Sequence, residues 1–167
     1  RLGGQGPYSA SKACSELVTA ASSQWAVERG LALATARSGN TLGGGDRAAN
    51  RLIPDCVRAA ASGRSLSIRC PDAVRPWQFV LDSLCGYLLL AESLSDDGAA
   101  FAGAWNFAPD AGGEPRVVEL ASTMLSALGA PEATVEKMVD APPETAVLRL
   151  ESSKAREALG WAPALDW

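Results

Sequence analysis

The sequence predicts a mixed α/β fold, and three observations carry that prediction. Residues 7–29 repeat small and apolar side chains at helical spacing and stop at Gly30. Leu31 to Arg37 (LALATAR) is a short run bounded by glycine and apolar on both faces, as a buried strand reads. Residues 117–128 form a clearly amphipathic helix, with Val117, Leu120, Ala121, Met124, Leu125 and Leu128 on one face and Gly129 as its stop. Helix, glycine, buried strand is half of an α/β repeat.

The first helix begins at Pro7, a residue suited to a helix start, after the glycine-rich approach Gly3, Gly4 and Gly6. Its periodic positions are Ala10, Ala13, Cys14, Leu17, Val18, Ala21, Trp25 and Ala26. After the strand, Ser38 to Asp46 (SGNTLGGGD) reads as a glycine-rich loop whose backbone N–H groups could approach a ligand, or as a plain flexible loop. Arg51 to Ser62 reads as a helix with Pro54 in its first turn and Gly63 beyond its end. Leu66–Ile68 is a strand candidate, residues 71–76 (PDAVRP) a turn-rich loop, and residues 81–95 a helix led in by Trp77 to Val80. Gly98 and Gly103 frame a loop. Residues 104–108 (AWNFA) alternate like a strand and carry Asn106, whose amide needs partners from backbone or ligand. Thr134 to Met138 is a strand candidate, Pro142 and Pro143 break the chain, and Leu148 to Leu150 is extended. Ser152 or Ser153 caps a short last helix ending at Gly160.

Composition narrows the function classes. The 167 residues are enough for one domain with a core. A net charge of −4 without a basic tract argues against a nucleic-acid partner. No apolar run reaches the ~18–20 residues of a membrane span. There is no histidine, and the cysteines (Cys14, Cys56, Cys70, Cys85) form no C-x-x-C pair, which removes zinc sites and histidine-based triads. Cys14 and Cys56 are expected to pack as small apolar groups. With no signal peptide, a reducing, cytoplasmic setting is expected.

The chemistry-bearing stretch is Pro7-Tyr8-Ser9-Ala10-Ser11-Lys12. Tyr8 and Lys12 are four residues apart, so phenol and ammonium share one helical face. An isolated phenol titrates near ~10, and a neighbouring positive charge favours phenolate. On spacing alone a packed tyrosine beside a solvated lysine is the commoner arrangement.

Five stretches in order, PYSASK (7–12), ARSGNTLGGGD (36–46), RLIPD (51–55), PDAVRPWQFV (71–80) and SSKAREALGW (152–161), resemble the C-terminal half of the extended short-chain dehydrogenases/reductases, nucleotide-sugar-modifying enzymes. The middle three resemble the CDP-glucose 4,6-dehydratases in particular. The resemblance implies a partial Rossmann fold, with residues 1–42 the last helix and strand of the NAD-binding domain and residues 43–167 a small mixed α/β lobe that binds nucleotide-sugar. It implies that Tyr8 takes the sugar 4-hydroxyl proton as hydride passes to NAD, and that Lys12 bonds the nicotinamide ribose and holds Tyr8 reactive. It implies substrate contacts from Asn40, Arg51, Leu52, Ile53, Arg75 and Asn106, with the Arg75 guanidinium on the diphosphate. In the family reaction the 4-keto intermediate then loses water across C5–C6, and the hydride returns to C6.

The sequence also departs from that pattern. No G-x-x-G-x-x-G follows a strand, Gln5-Gly6 replaces His-Asp before Pro7, Arg47 stands in place of tryptophan and Asn50 in place of an acid. The chain opens on Arg1 and ends at Trp167, earlier than the family pattern. It is therefore expected to be part of a longer NAD-dependent enzyme, a homodimer when complete, and unable by itself to bind NAD tightly or to catalyse. The helix at 7–29 is then expected to expose an apolar face unless another chain covers it. The alternatives are a non-catalytic remnant that binds a nucleotide-sugar or a partner protein, and a relative acting on dTDP- or UDP-sugars.

Overall fold

The computed structural model describes residues 6–110, 114–140 and 144–165. Gly3, Gly4, Gln5, the Pro142-Pro143 break and Trp167 lie outside the described residues. In chain order the elements are α1 (Pro7–Val27), β1 (Ala34–Ser38), β2 (Asn40–Leu42), α2 (Leu52–Ser62), β3 (Leu66–Ile68), β4 (Trp77–Phe79), α3 (Val80–Asp96), α4 (Gly98–Phe101), β5 (Gly103–Phe107), α5 (Val117–Ala127), β6 (Val135–Lys137) and α6 (Ser153–Leu159). The strands associate in pairs: β1 with β5, β2 parallel to β4, and β3 parallel to β6. The mixed α/β class expected from the sequence is present. The chain divides into two compact units, each interrupted in sequence.

The first unit comprises residues up to Arg37, Leu84–Phe107 and Ser152–Ala162. Its core joins Leu90 of α3, Trp105 and Phe107 of β5, Ala155 of α6 and Trp161. Phe107 meets Tyr87 and Trp161 edge-to-face, with centroids 5.5 and 5.1 Å apart. The Trp105 indole N–H donates to the Phe101 carbonyl at 2.8 Å, and the Lys154 ammonium lies 3.8 Å from the Trp105 ring centroid. Helix α1 contributes little to this interior. Ala26 alone among its described residues is buried, while Leu17, Val18 and Trp25 are more than half exposed. Its hydroxyls fold back onto its own carbonyls, as Ser11 does on Tyr8, Ser15 on Ser11 and Ser22 on Val18.

The second unit comprises Ser38–Ser83, Ala108–Glu151 and the residues from Pro163. Its core is Cys56 and Ala59 of α2, Leu66 and Ile68 of β3, and Ala121 and Leu125 of α5. Cys56 is fully buried, and desolvation pushes its thiol up to about 11. Gly63 ends α2 in the left-handed conformation, as its position beyond the apolar pattern predicts. At the start of α5, the Glu119 carboxylate accepts from the Arg116 backbone N–H at 2.8 Å, which lowers its pKa.

The structure departs from the sequence reading in five places. The strand expected from Leu31 begins at Ala34, because the Leu31 N–H closes the end of α1 on the Ala26 carbonyl. That strand is half-buried, with Ala36 exposed. The loop after Ser38 contains β2, and the stretch between Gly98 and Gly103 contains α4, capped by the Asp97 carboxylate on the Ala100 N–H. Ser152 occupies the N-cap of α6, but its hydroxyl accepts from Arg156 Nε at 3.4 Å instead of capping the helix. Cys14 is exposed, since it lies on the open side of α1.

Gly86, within α3, admits Phe107 so closely that a Cβ would stand 2.3 Å from its ring. Alanine normally improves a helix interior over glycine by about 0.5–1 kcal/mol. Here the ring is fully buried between Tyr87 and Trp161 and has no space to retreat. Overpacking of this kind costs about 1–3 kcal/mol and outweighs the helical gain. Gly86→Ala is expected to lower the urea midpoint with an unchanged slope; an unchanged or raised midpoint refutes the packing account.

Candidate functional site

The residues singled out from sequence fall in both units. The first holds Tyr8, Lys12 and Asn106; the second holds Asn40, Arg51, Leu52, Ile53 and Arg75.

In the first unit, Tyr8 is 74% exposed in the opening turn of α1, and Lys12 Nζ lies 5.6 Å from its ring centroid. The i,i+4 spacing therefore brings phenol and ammonium to one accessible face. Such a face can move a proton to or from a ligand hydroxyl, and a lysine ammonium offers three donors to a diol. One step further along the stripe, Glu16 accepts from Arg37 Nε at 2.7 Å, from Arg37 Nη2, and from Thr35 Oγ1 at 3.0 Å. Arg37 Nη1 reaches Asn106 Oδ1 at 3.5 Å. Asn106, expected to meet backbone or ligand, thus also faces a side chain. The Arg37 hydrogen bonds hold the Glu16 carboxyl below its ordinary value of 4.5 and raise that of Arg37. Sequence reasoning passed over Glu16 and Arg37. The signal available was an acid four residues beyond Lys12 on the same helical face.

In the second unit, β2 and β4 place Asn40 opposite Trp77, and the Asn40 N–H donates to the Pro76 carbonyl at 2.9 Å. Gly39 permits this approach, since a Cβ there would stand 2.2 Å from the Pro76 carbonyl oxygen. This glycine serves the chain's own strand pairing. Val74 is anchored on both sides, its N–H on Ala146 O at 2.8 Å and its carbonyl accepting from Leu148 N. Arg75 is buried, its guanidinium donating to the Val74 carbonyl at 2.9 Å and to Glu144 at 3.0 Å. Arg69 reaches the other Glu144 oxygen at 3.3 Å. Two guanidiniums around one carboxylate leave a net positive charge, the sign an anionic ligand requires. Arg51 is exposed at the N-cap of α2 with an extended backbone. Ile53 is half-buried in the first turn, and Leu52 packs against the core of this unit.

Among the described residues, no group of three or more His, Cys, Asp or Glu side chains could hold a metal ion, and no helix is long and apolar enough to cross a membrane. The sequence has no G-x-x-G-x-x-G turn for the pyrophosphate of a dinucleotide.

Comparison with known proteins follows the same lines. Residues 2–102 match the model of the NAD dependent epimerase/dehydratase family. The chain is 38% identical to the CDP-glucose 4,6-dehydratase of Salmonella typhimurium strain LT2, over 97% of this chain and 47% of that protein. The chain thus spans about half the length of the curated relative it matches. Among solved structures, the dTDP-glucose 4,6-dehydratase of Streptomyces venezuelae with NAD and TYD bound is similar at a TM-score of 0.79 and 28% identity, over 95% of this chain and 46% of that one. The dTDP-glucose 4,6-dehydratase of Bacillus anthracis str. Ames in complex with NAD shares the fold at a TM-score of 0.79 and 21% identity, over 99% of this chain and 49% of that one.

Two outcomes are expected from this geometry. Arg75 has a side chain only 10% exposed, whereas that of Arg69 is 46% exposed. Glu144→Gln strands a buried guanidinium without a counter-charge and is expected to cost about 2–3 kcal/mol in denaturant unfolding. Arg69→Met removes an exposed pair and should cost under about 1 kcal/mol; equal costs would refute the burial argument. For Glu16 the depressed pKa means stabilisation that is present above the ordinary value of 4.5 and lost as pH falls through the folded value. Glu16→Gln should destabilise the chain at neutral pH and approach wild type as pH falls below 4.5 through the folded value. A pH-independent difference would exclude the carboxylate as the source.

Proposed function

Since the chain belongs to the NAD dependent epimerase/dehydratase family, we propose that it is the C-terminal part of an NAD-dependent nucleotide-sugar 4,6-dehydratase converting CDP-glucose to CDP-4-keto-6-deoxyglucose. The identity to a CDP-glucose 4,6-dehydratase along almost the whole chain is the observation that carries this reading. The accessible Tyr8–Lys12 face supports the chemistry.

Tyr8 takes the proton of the sugar 4-hydroxyl, and Lys12 orients the phenol and bonds the ribose of the cofactor. NAD, when bound, supplies the hydride acceptor and donor. Arg75 offers its guanidinium to the substrate diphosphate. Its double anchoring through Val74 supports that role, because a fixed fork loses little freedom on binding. Asn40 contacts the same region, Arg51, Leu52 and Ile53 line the nucleotide pocket, and Asn106 lies near the nucleoside. Residues 1–42 belong to the NAD-binding domain and residues 43–167 to the nucleotide-sugar lobe. The open apolar side of α1 supports a homodimer for the complete enzyme, and four free thiols support a reducing, cytoplasmic setting.

The test is product analysis with CDP-, dTDP- and UDP-glucose, using the protein with and without an N-terminal NAD-binding half. With that half, CDP-glucose is expected to yield the 4-keto-6-deoxy product, and Tyr8→Phe should abolish it. Without it, the chain should give no product and no micromolar NAD binding by calorimetry. Unchanged turnover by Tyr8→Phe removes Tyr8 from the mechanism, and preference for dTDP- or UDP-glucose overturns the substrate assignment.

A further inference from the structure

Helix α1 presents Tyr8, Lys12 and Glu16 at successive i+4 positions, one stripe along its surface. Orientation of that stripe requires something that resists rotation of the helix about its axis. Apolar burial supplies little near Tyr8, where Ala13 alone of the apolar side chains is half-buried. The one buried residue of α1, Ala26, lies eighteen positions further on, about 27 Å at the helical rise. The strongest polar anchor of the helix is at Glu16, about 12 Å from Tyr8 by the same rise.

That anchor is directional. Both carboxylate oxygens are engaged, Oε1 by Arg37 Nε and Oε2 by Arg37 Nη2 and Thr35 Oγ1. A guanidinium fork on a carboxylate defines a plane as well as a distance. Arg37 and Thr35 both come from β1, and Arg37 leads on to Asn106 of β5. The Glu16 side chain is 20% exposed and that of Arg37 37%, so the bridge is partly open to solvent and its worth lies in direction more than in energy.

We propose that Glu16 is a positioning residue: bridged to Arg37 and Thr35, it fixes the rotation of α1 so that Tyr8 and Lys12 face the substrate together. The inference rests on the reading of Tyr8 and Lys12 as the proton-transfer pair. It adds a residue that touches neither substrate nor cofactor and acts through the helix that carries them.

The test uses Glu16→Gln, which keeps size and shape, in the protein that turns over nucleotide-sugar. A misdirected phenol loses rate more than binding, so kcat is expected to fall by about tenfold or more with KM within about twofold. The charge-reversed pair Glu16→Arg with Arg37→Glu should recover part of that loss, which a purely structural lesion at either position would not. Unchanged kcat in Glu16→Gln overturns the proposal, as does a loss that tracks the unfolded fraction. A wild-type protein with no turnover on any nucleotide-sugar instead rejects the functional reading. The positioning claim is then decided on the chain itself by amide hydrogen exchange. Exchange of residues 8–15 is expected to be about tenfold faster in Glu16→Gln, with residues 20–27 unchanged; equal exchange in wild type and variant overturns it.

Discussion

The interaction that ties α1 to the first unit is a charged fork. Glu16, Thr35 and Arg37 join a long helix to a strand whose sequence begins after that helix has ended. Most helices in globular proteins are held by an apolar stripe. Helix α1 keeps one residue buried and leaves Leu17, Val18 and Trp25 open. Its hydroxyl-bearing residues bond their own carbonyls, so its surface is less polar than its composition suggests. A helix with this character is directed by its few polar anchors, and those anchors are specific about angle.

The two cores show how differently the units solve the packing problem. The first is aromatic, with Phe107 clasped edge-on by two rings and admitted to α3 by a missing side chain at position 86. The second is aliphatic and small, formed where α2 and α5 close over β3. In the second unit the charged groups are again arranged around one carboxylate. Glu144 draws together Arg69 and Arg75, which are six residues apart, and β4 follows directly. The burial of Arg75 is tolerated because its guanidinium is met by a carbonyl and a carboxylate together.

Much of this fold was legible in the sequence. Periodicity and helix stops located α1, α2, α5 and α6 to within a residue or two, and alternation located β5. These signals are local, so a window of ten residues contains them. The misses were of another kind. Strand β2 exists because β4 pairs with it, and no local pattern in Gly39 to Gly43 says so. Glu16 and Arg37 are twenty-one positions apart and Arg75 and Glu144 sixty-nine, and each side chain alone reads as solvated surface. Cys14 fits the helical repeat that suggested burial, but a repeat identifies a face and not what covers it. The Tyr8–Lys12 pair was visible from spacing; its anchoring was not.

The buried thiol of the second unit has a use of its own. Only a thiolate attacks an alkylating reagent, and Cys56 is both enclosed and poorly ionised at neutral pH. Cys14 and Cys85 are exposed and Cys70 is partly so. A single reagent therefore divides the four thiols into early and late classes. The late modification of Cys56 proceeds through conformers in which α2 and α5 have parted. Its rate is a clock for the breathing of that core, built into the chain without any added label.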